Sequence, residues 1–260
     1  MENLQRIVML IDADNTQLGK LEDVIGEIST HGRIVVKRAY GNWKKDILKN
    51  WERELKRLAI KAEQQFDYVL GKNATDMALV IDTINLLHTG IYDAFVIVAS
   101  DSDYTPLAIN LHESGVYVIG VGEKKTPEAF RNSCDEFIFL ENIGDRNSIK
   151  SKSVENKQPA SGRGAASDEM TLSDDSDEGD FDIEKIHYLL KIASDKYQDD
   201  DGYVNVSSAG QFIKRVRPDF DVRNFGFTKL PELIEKFKDR YEIKKYKGKG
   251  TVNIIAYRCK

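Results

Sequence analysis

Cysteine is almost missing from the 260 residues: only Cys134 and Cys259 occur, far apart. That excludes a disulfide framework and a cysteine-ligated zinc site. The four histidines (His31, His88, His112 and His187) are scattered, with no metal-ligand spacing. No apolar run approaches the roughly 20 residues needed to cross a bilayer, so no membrane partner is expected. The opening MENLQRIVMLIDAD has neither a basic start nor a small-residue cleavage site, so no signal peptide is expected either. A soluble protein of the reducing cytoplasm is the expectation.

Net charge is modest, −5, but unevenly spread. Residues 1–145 hold 16 Lys/Arg against 23 Asp/Glu, and residues 181–260 hold 17 against 12. From Gly210 onward the balance is 14 against 6. Such a split suggests that the C-terminal end meets something anionic.

Residues 1–143 alternate strand and helix signals. RIVMLI (6–11), RIVVKRAY (33–40), FDYVL (66–70), AFVIVA (94–99), VYVIGV (116–121) and EFIFL (136–140) read as strands. Between them lie helices near Leu18–Ser29, Lys44–Gln64, 77–87, Thr105–Glu113 and Pro127–Asn132. Continuous apolar strands alternating with helices predict an α/β fold, a parallel sheet flanked by helices on both faces. Residues 144–180 are polar and end in SDDSDEGD, which predicts a flexible acidic linker. In residues 181–260, three helical stretches precede a hairpin turning at Gly248 and Gly250, the outline of a small winged helix.

Carboxylates punctuate the first segment. Asp12 and Asp14 follow the first strand, Asp101 and Asp103 the fourth, and Asp76 opens a helix after GKNAT. Strand ends of a parallel sheet gather at one edge, where switch points in strand order make crevices. If the two strands are neighbours, their acids share one cleft and call for a hard divalent cation, Mg²⁺ or Mn²⁺. Such an ion activates water and steadies phosphate in an in-line displacement. Asp is also a common cap. Asp14 and Asp103 are the two most cap-like of the set, and Asp82 reads as structural. Phosphate also needs cations, and Arg38 and Lys72 are placed for that. The Lys44–Gln64 stretch interleaves acids with its lysines, so a solvated face is the simpler reading, and Trp43 and Trp51 read as packing.

The stretches LIDADN (10–15), GKNATDMALVID (71–82), VIVASDSDYTPL (96–107) and VGEKKTPEAFRNSCDEFIFL (121–140) resemble, in order, the motif series of the NYN family. The likeness is to its LabA-like branch, within the PIN-like nuclease group. This resemblance implies a Rossmann-like sheet and a divalent-metal nuclease that usually acts on RNA. It implies Asp12, Asp76 and Asp101 as metal-holding acids. Asn15 and Asp103 fall on positions supporting the metal or attacking water, with Ser100 as a nearby hydrogen-bonding group.

RPDFDVRNFGFTKLPELIEKF (217–237) resembles the OST-HTH (LOTUS) family, a winged-helix module that binds RNA or protein partners. Lys214, Arg215, Arg223, Lys245 and Lys247 are its candidate phosphate contacts, giving affinity without sequence readout. Lysines that guard a hairpin edge are the competing reading. Taken together, the sequence predicts a cytoplasmic, metal-dependent ribonuclease with a C-terminal RNA-binding module. A non-catalytic RNA-binding regulator or assembly factor, and a nuclease of single-stranded DNA, are the rival readings.

Overall fold

The computed structural model describes residues 4–67, 73–143, 183–247 and 253–260. The linker expected at 144–180 lies outside them. A six-stranded sheet forms the first part, with strand order β3-β2-β1-β4-β5-β6 and every pairing parallel. Its strands are β1 (Leu4–Asp12), β2 (Gly32–Gly41), β3 (Lys61–Gln64), β4 (Ala94–Val98), β5 (Tyr117–Gly122) and β6 (Glu136–Phe139).

Alternation along the central strands explains the layers. Ile7, Met9 and Ile11 of β1, with Val96 and Val98 of β4, face one side. There they meet α1 (Leu21–Ile28) and α2 (Trp51–Arg57) through Leu21, Val24, Ile28, Trp51 and Leu55. Val8 and Leu10, with Phe95 and Ile97, face the other. They pack on α3 (Ala74–Leu87), α4 (Thr105–Glu113) and α5 (Glu128–Asn132) through Leu79, Leu86, Leu107, Leu111 and Phe130. Strands buried on both faces need apolar residues at every position, which is why these runs do not alternate with polar ones.

One stretch departs from the sequence reading. No long helix spans residues 44–64; α2 covers seven residues, and the chain turns through Ala59 at a φ of 51° into β3. That edge strand is the polar KAEQ at 61–64. Phe66 and Asp67 are not in a strand, and residues 68–70 lie outside the described ones.

The C-terminal part consists of α6 (Ile183–Tyr197), α7 (Val206–Val216), α8 (Leu230–Lys236) and an antiparallel sheet β7-β9-β8. Here β7 is Val204–Asn205, β8 Tyr241–Lys247 and β9 Asn253–Cys259. Gly226, at a φ of 79°, ends the turn before α8 in the left-handed region that favours glycine.

This part docks on the β6 edge. Phe137 N–H donates to the Pro218 carbonyl at 2.9 Å, which covers a ladder group that an edge strand would leave exposed. Arg131 and Asp219 form a buried ion pair at 2.7 Å, and Lys214 reaches buried Glu136, which also meets His31 at 3.1 Å. Among the described residues no helix is long and apolar enough to cross a membrane.

Candidate active site

The sheet places the site. Connections run from β1 outward to β2 and β3, then return to β4 on the other flank, so the switch point lies between β1 and β4. Asp12 ends β1 there, and Asp101 follows β4 in the adjoining strand.

Each strand ends in the same kind of turn. Asp12 accepts from the Asp14 N–H at 3.1 Å, and Asp101 from the Asp103 N–H at 3.0 Å. The first carboxylate of each Asp-x-Asp pair thus fixes the turn that presents the second. Asp101, rather than Asp103, is the cap of the turn leading into α4. Asp76 projects from the first turn of α3, and buried Tyr104 donates its hydroxyl to it at 2.8 Å. Tyr104 also hydrogen-bonds Asp12 and so joins the two carboxylates. Asn15 donates to Asp12 at 2.9 Å, Asn73 to Asp103 at 2.8 Å, and Thr75 to Asp14 at 3.0 Å.

Electrostatics tie the acids together. Burial, against the opposing Asn15 amide and with help from Asp76 and Asp14, brings the Asp12 carboxyl up to about 6. Asp76 is raised by burial first, then by Asp101, Asp103 and Asp14, against the Tyr104 hydrogen bond. Burial and the neighbouring acids raise the Tyr104 phenol too, so it stays a proton donor. Carboxylates that destabilise one another in this way favour a cation.

The donor set suits a hard divalent ion, being all oxygen. As the side chains stand, no three His, Cys, Asp or Glu residues among those described converge on one point. The reason is local: Asp12, Asp76, Asp101 and Asp103 are each turned to an internal donor.

The other residues singled out from the sequence are dispersed. Ser100 Oγ accepts from Glu123 N–H at 3.0 Å and so braces the loop after β5. Arg38 donates to both Asp82 oxygens, at 2.6 and 2.5 Å, and Tyr40 completes that cluster; Asp82 is structural here. Lys72 lies outside the described residues, as does the side chain of Lys247. Lys214 and Arg223 are engaged at the domain junction: Arg223 bonds Asp221 and the Asn142 carbonyl, the latter at 2.7 Å. Arg215 is exposed beside Tyr197, and Lys245 is exposed and paired with Glu235. Two cavities of about 500 and 650 Å³ lie along the domain junction, away from the carboxylates.

Sequence reasoning missed Tyr104, Asn73, Thr75 and Lys45. Lys45 Nζ lies 3.4 Å from Asp14 and 3.4 Å from Asp67. Only the adjacency of Tyr104 to Asp101-Ser102-Asp103 hinted at its part.

The model of the NYN domain matches residues 6–141, more than half of the chain. The chain belongs to the NYN family. NYN is a PIN-like nuclease domain, and its carboxylate-lined switch point is the candidate active site. A second model, the OST-HTH/LOTUS domain, an RNA-binding type, matches residues 183–253. No curated protein matches the chain. Two solved structures are similar to parts of it. One, a Vibrio parahaemolyticus protein of unknown function, is 16% identical with a TM-score of 0.44, over 55% of this chain and 96% of that one. The other, an uncharacterized Nitrosomonas europaea protein, is 21% identical with a TM-score of 0.26, over 41% and 92%.

Proposed function

We propose that this NYN protein is a cytoplasmic, divalent-metal-dependent ribonuclease whose OST-HTH module delivers RNA to the switch-point cleft. One observation carries the reading: Asp12, Asp76, Asp101 and Asp103, from three separate elements, border the β1–β4 crevice, where Asp76 raises the proton affinity of Asp12, and Asp101 and Asp103 raise that of Asp76. Mg²⁺ or Mn²⁺ held by these four would supply water activation and charge neutralisation at phosphate. Asn15 and Tyr104 orient Asp12 and Asp76 by donating to them. Tyr104 also keeps a proton at the base of the cleft. Ser100 steadies the loop beside Asp101. Arg215 and Lys245 offer exposed cations to the RNA backbone, and Lys72 and Lys247 join them on sequence grounds. The functional units are residues 1–143 and 181–260, joined by 144–180.

Labelled single-stranded RNA with Mg²⁺ or Mn²⁺ tests this, comparing wild type with Asp12→Asn and Asp101→Asn. Cleavage lost in both variants, with RNA still bound, supports a nuclease. Equal cleavage by all three proteins sinks the assignment. A second reading, RNA binding without hydrolysis, draws on the engagement of every carboxylate by an internal donor. Binding by an inert wild type would favour it. Competition with single-stranded DNA at fixed salt separates the RNA and DNA readings.

A further inference from the structure

Beyond the carboxylates, the rim of the cleft on the β2–β3 side has an aromatic ring and two lysines to which the proposed chemistry gives no part. The loops leaving β2 and β3 are laced together there. Gln65 N–H donates to the Gly41 carbonyl at 3.1 Å, and Trp43 N–H to the Gln64 side chain at 3.1 Å. The Trp43 indole N–H donates to the Glu63 carbonyl, also at 3.1 Å, and Gln64 Nε2 to Asn42 Oδ1 at 3.1 Å. Behind them the Trp43 ring rests against buried Trp51, with centroids 6.1 Å apart. Both tryptophans are therefore occupied in building a platform.

That platform presents three side chains. Phe66 is 52% exposed, a large apolar surface for a ring in water. Lys44 Nζ lies over it, 5.1 Å from the ring centroid. Next along the chain, Asp67 accepts from Asn42 at 3.3 Å and pairs with Lys45. Lys45 in turn reaches Asp14, whose charge acts on both Asp12 and Asp76. The lysine thus connects the aromatic platform to the acidic cleft through one continuous set of contacts.

An exposed ring beside flexible ammonium groups is the combination that binds an unpaired nucleotide: the base stacks on the ring and the lysines take its phosphates. Paired bases keep their faces inside the duplex and cannot use such a platform. We propose that Phe66, Lys44 and Lys45 form a wall that binds one unpaired nucleotide at the rim of the cleft, so the site takes single-stranded rather than paired RNA. The base replaces the Lys44 ammonium over the ring, and Lys44 moves to a flanking phosphate. Lys45 leaves Asp14 for the next phosphate towards the carboxylates. The wall's part in cleavage rests on the nuclease reading, but binding itself needs no hydrolysis.

The test uses the full chain in EDTA and fluorescence anisotropy with a labelled RNA of about ten nucleotides, single-stranded or annealed to its complement. Phe66→Ala should weaken single-strand binding between about fivefold and a hundredfold. Phe66→Tyr should restore most of it, and duplex binding should stay unchanged. A photoreactive base in the single strand should cross-link to the peptide holding Phe66. Unaltered single-strand affinity in Phe66→Ala, with cross-links confined to residues 183–260, overturns the proposal. Cleavage assays run in parallel keep the two readings apart. An active wild type whose binding ignores Phe66 sinks the wall and leaves the nuclease. A Phe66-dependent but inert wild type leaves the wall and sinks the nuclease.

Discussion

Asp12→Asn should stabilise the metal-free protein at neutral pH, although Asp12 is completely buried. Its folded pKa of about 6 stands above the ordinary 3.8, chiefly because burial disfavours the charged form. A raised folded pKa means that the fold prefers the protonated acid. The resulting stability is fully present below pH 3.8 and is lost as pH climbs through 6. At pH 7 the lost amount is about 3 kcal/mol, at 1.36 kcal/mol per unit. The substitution removes that cost but sets an amide against the Asn15 amide that now donates at 2.9 Å, costing about 1 kcal/mol. The acceptor for the Asp14 N–H survives. A net gain of about 2 kcal/mol remains, equivalent to about 4–8 °C in Tm for a chain this size. Urea unfolding in EDTA, followed by tryptophan fluorescence from pH 4 to 8, measures it. The gap between variant and wild type should open between pH 4 and 6 and then level off. A less stable variant at pH 7, or a gap independent of pH, would refute the reasoning. Added Mn²⁺ should reverse the order by stabilising only the wild type.

Glu136 obeys the opposite sign. Although burial alone would raise it, hydrogen bonds from His31 and Lys214 and their charges hold its carboxyl down at about 2. The stability it confers, about 3 kcal/mol, is present above pH 4.5 and fades as pH falls towards 2. Glu136→Gln should forfeit that amount at pH 7 and only a small remnant of it at pH 2, as read from Tm across an acid titration. Arg131→Met leaves Asp219 buried with only Arg217, 3.2 Å away, to face it. It should cost about 3 kcal/mol, the low end for breaking a buried pair, and loosen the docking enough to enlarge the radius in X-ray scattering. Gly122→Ala would place a methyl 2.6 Å from the Ala99 carbonyl and 2.7 Å from Thr126 Oγ1. A loss of about 1–3 kcal/mol in urea is expected, with the loop after β5 displaced.

How much of the molecule was legible in the sequence depends on how local each signal is. β1 and β4 announced themselves because strands buried on both faces must be apolar throughout, and the acids ending them stood out by contrast. The condition set for a shared cleft, that the two strands be neighbours, is met, since β1 pairs with β4. β3 was misread because an edge strand needs no apolar residues: KAEQ is largely exposed and looks like more of the preceding helix. Counter-ions were the other blind spot. A cluster of Lys and Arg after residue 210 reads as a surface for an anion. Yet Lys214 and Arg223 meet Glu136 and the Asn142 carbonyl, 78 and 81 positions earlier in the chain. Pattern within a segment cannot report a partner that only the tertiary fold supplies.

Those buried partners give the two domains a defined relation to the cleft. A buried ion pair adds little net stability, but leaving one partner uncompensated is costly, so such pairs penalise every other docking geometry. Here they hold the C-terminal part along β6, one outer edge of the sheet, while the Phe66 platform sits beside β3, the opposite edge. Five inter-strand steps of about 4.8 Å separate the edges, on the order of 24 Å, and the β1–β4 crevice lies between them. On the proposed reading, an RNA strand bound both by the docked module and by the platform spans the sheet from one edge to the other, with the crevice between them in strand order. Neither contact needs to read sequence for this to work. The fixed docking holds the module at one edge, and on the same reading the exposed ring supplies the demand for an unpaired base.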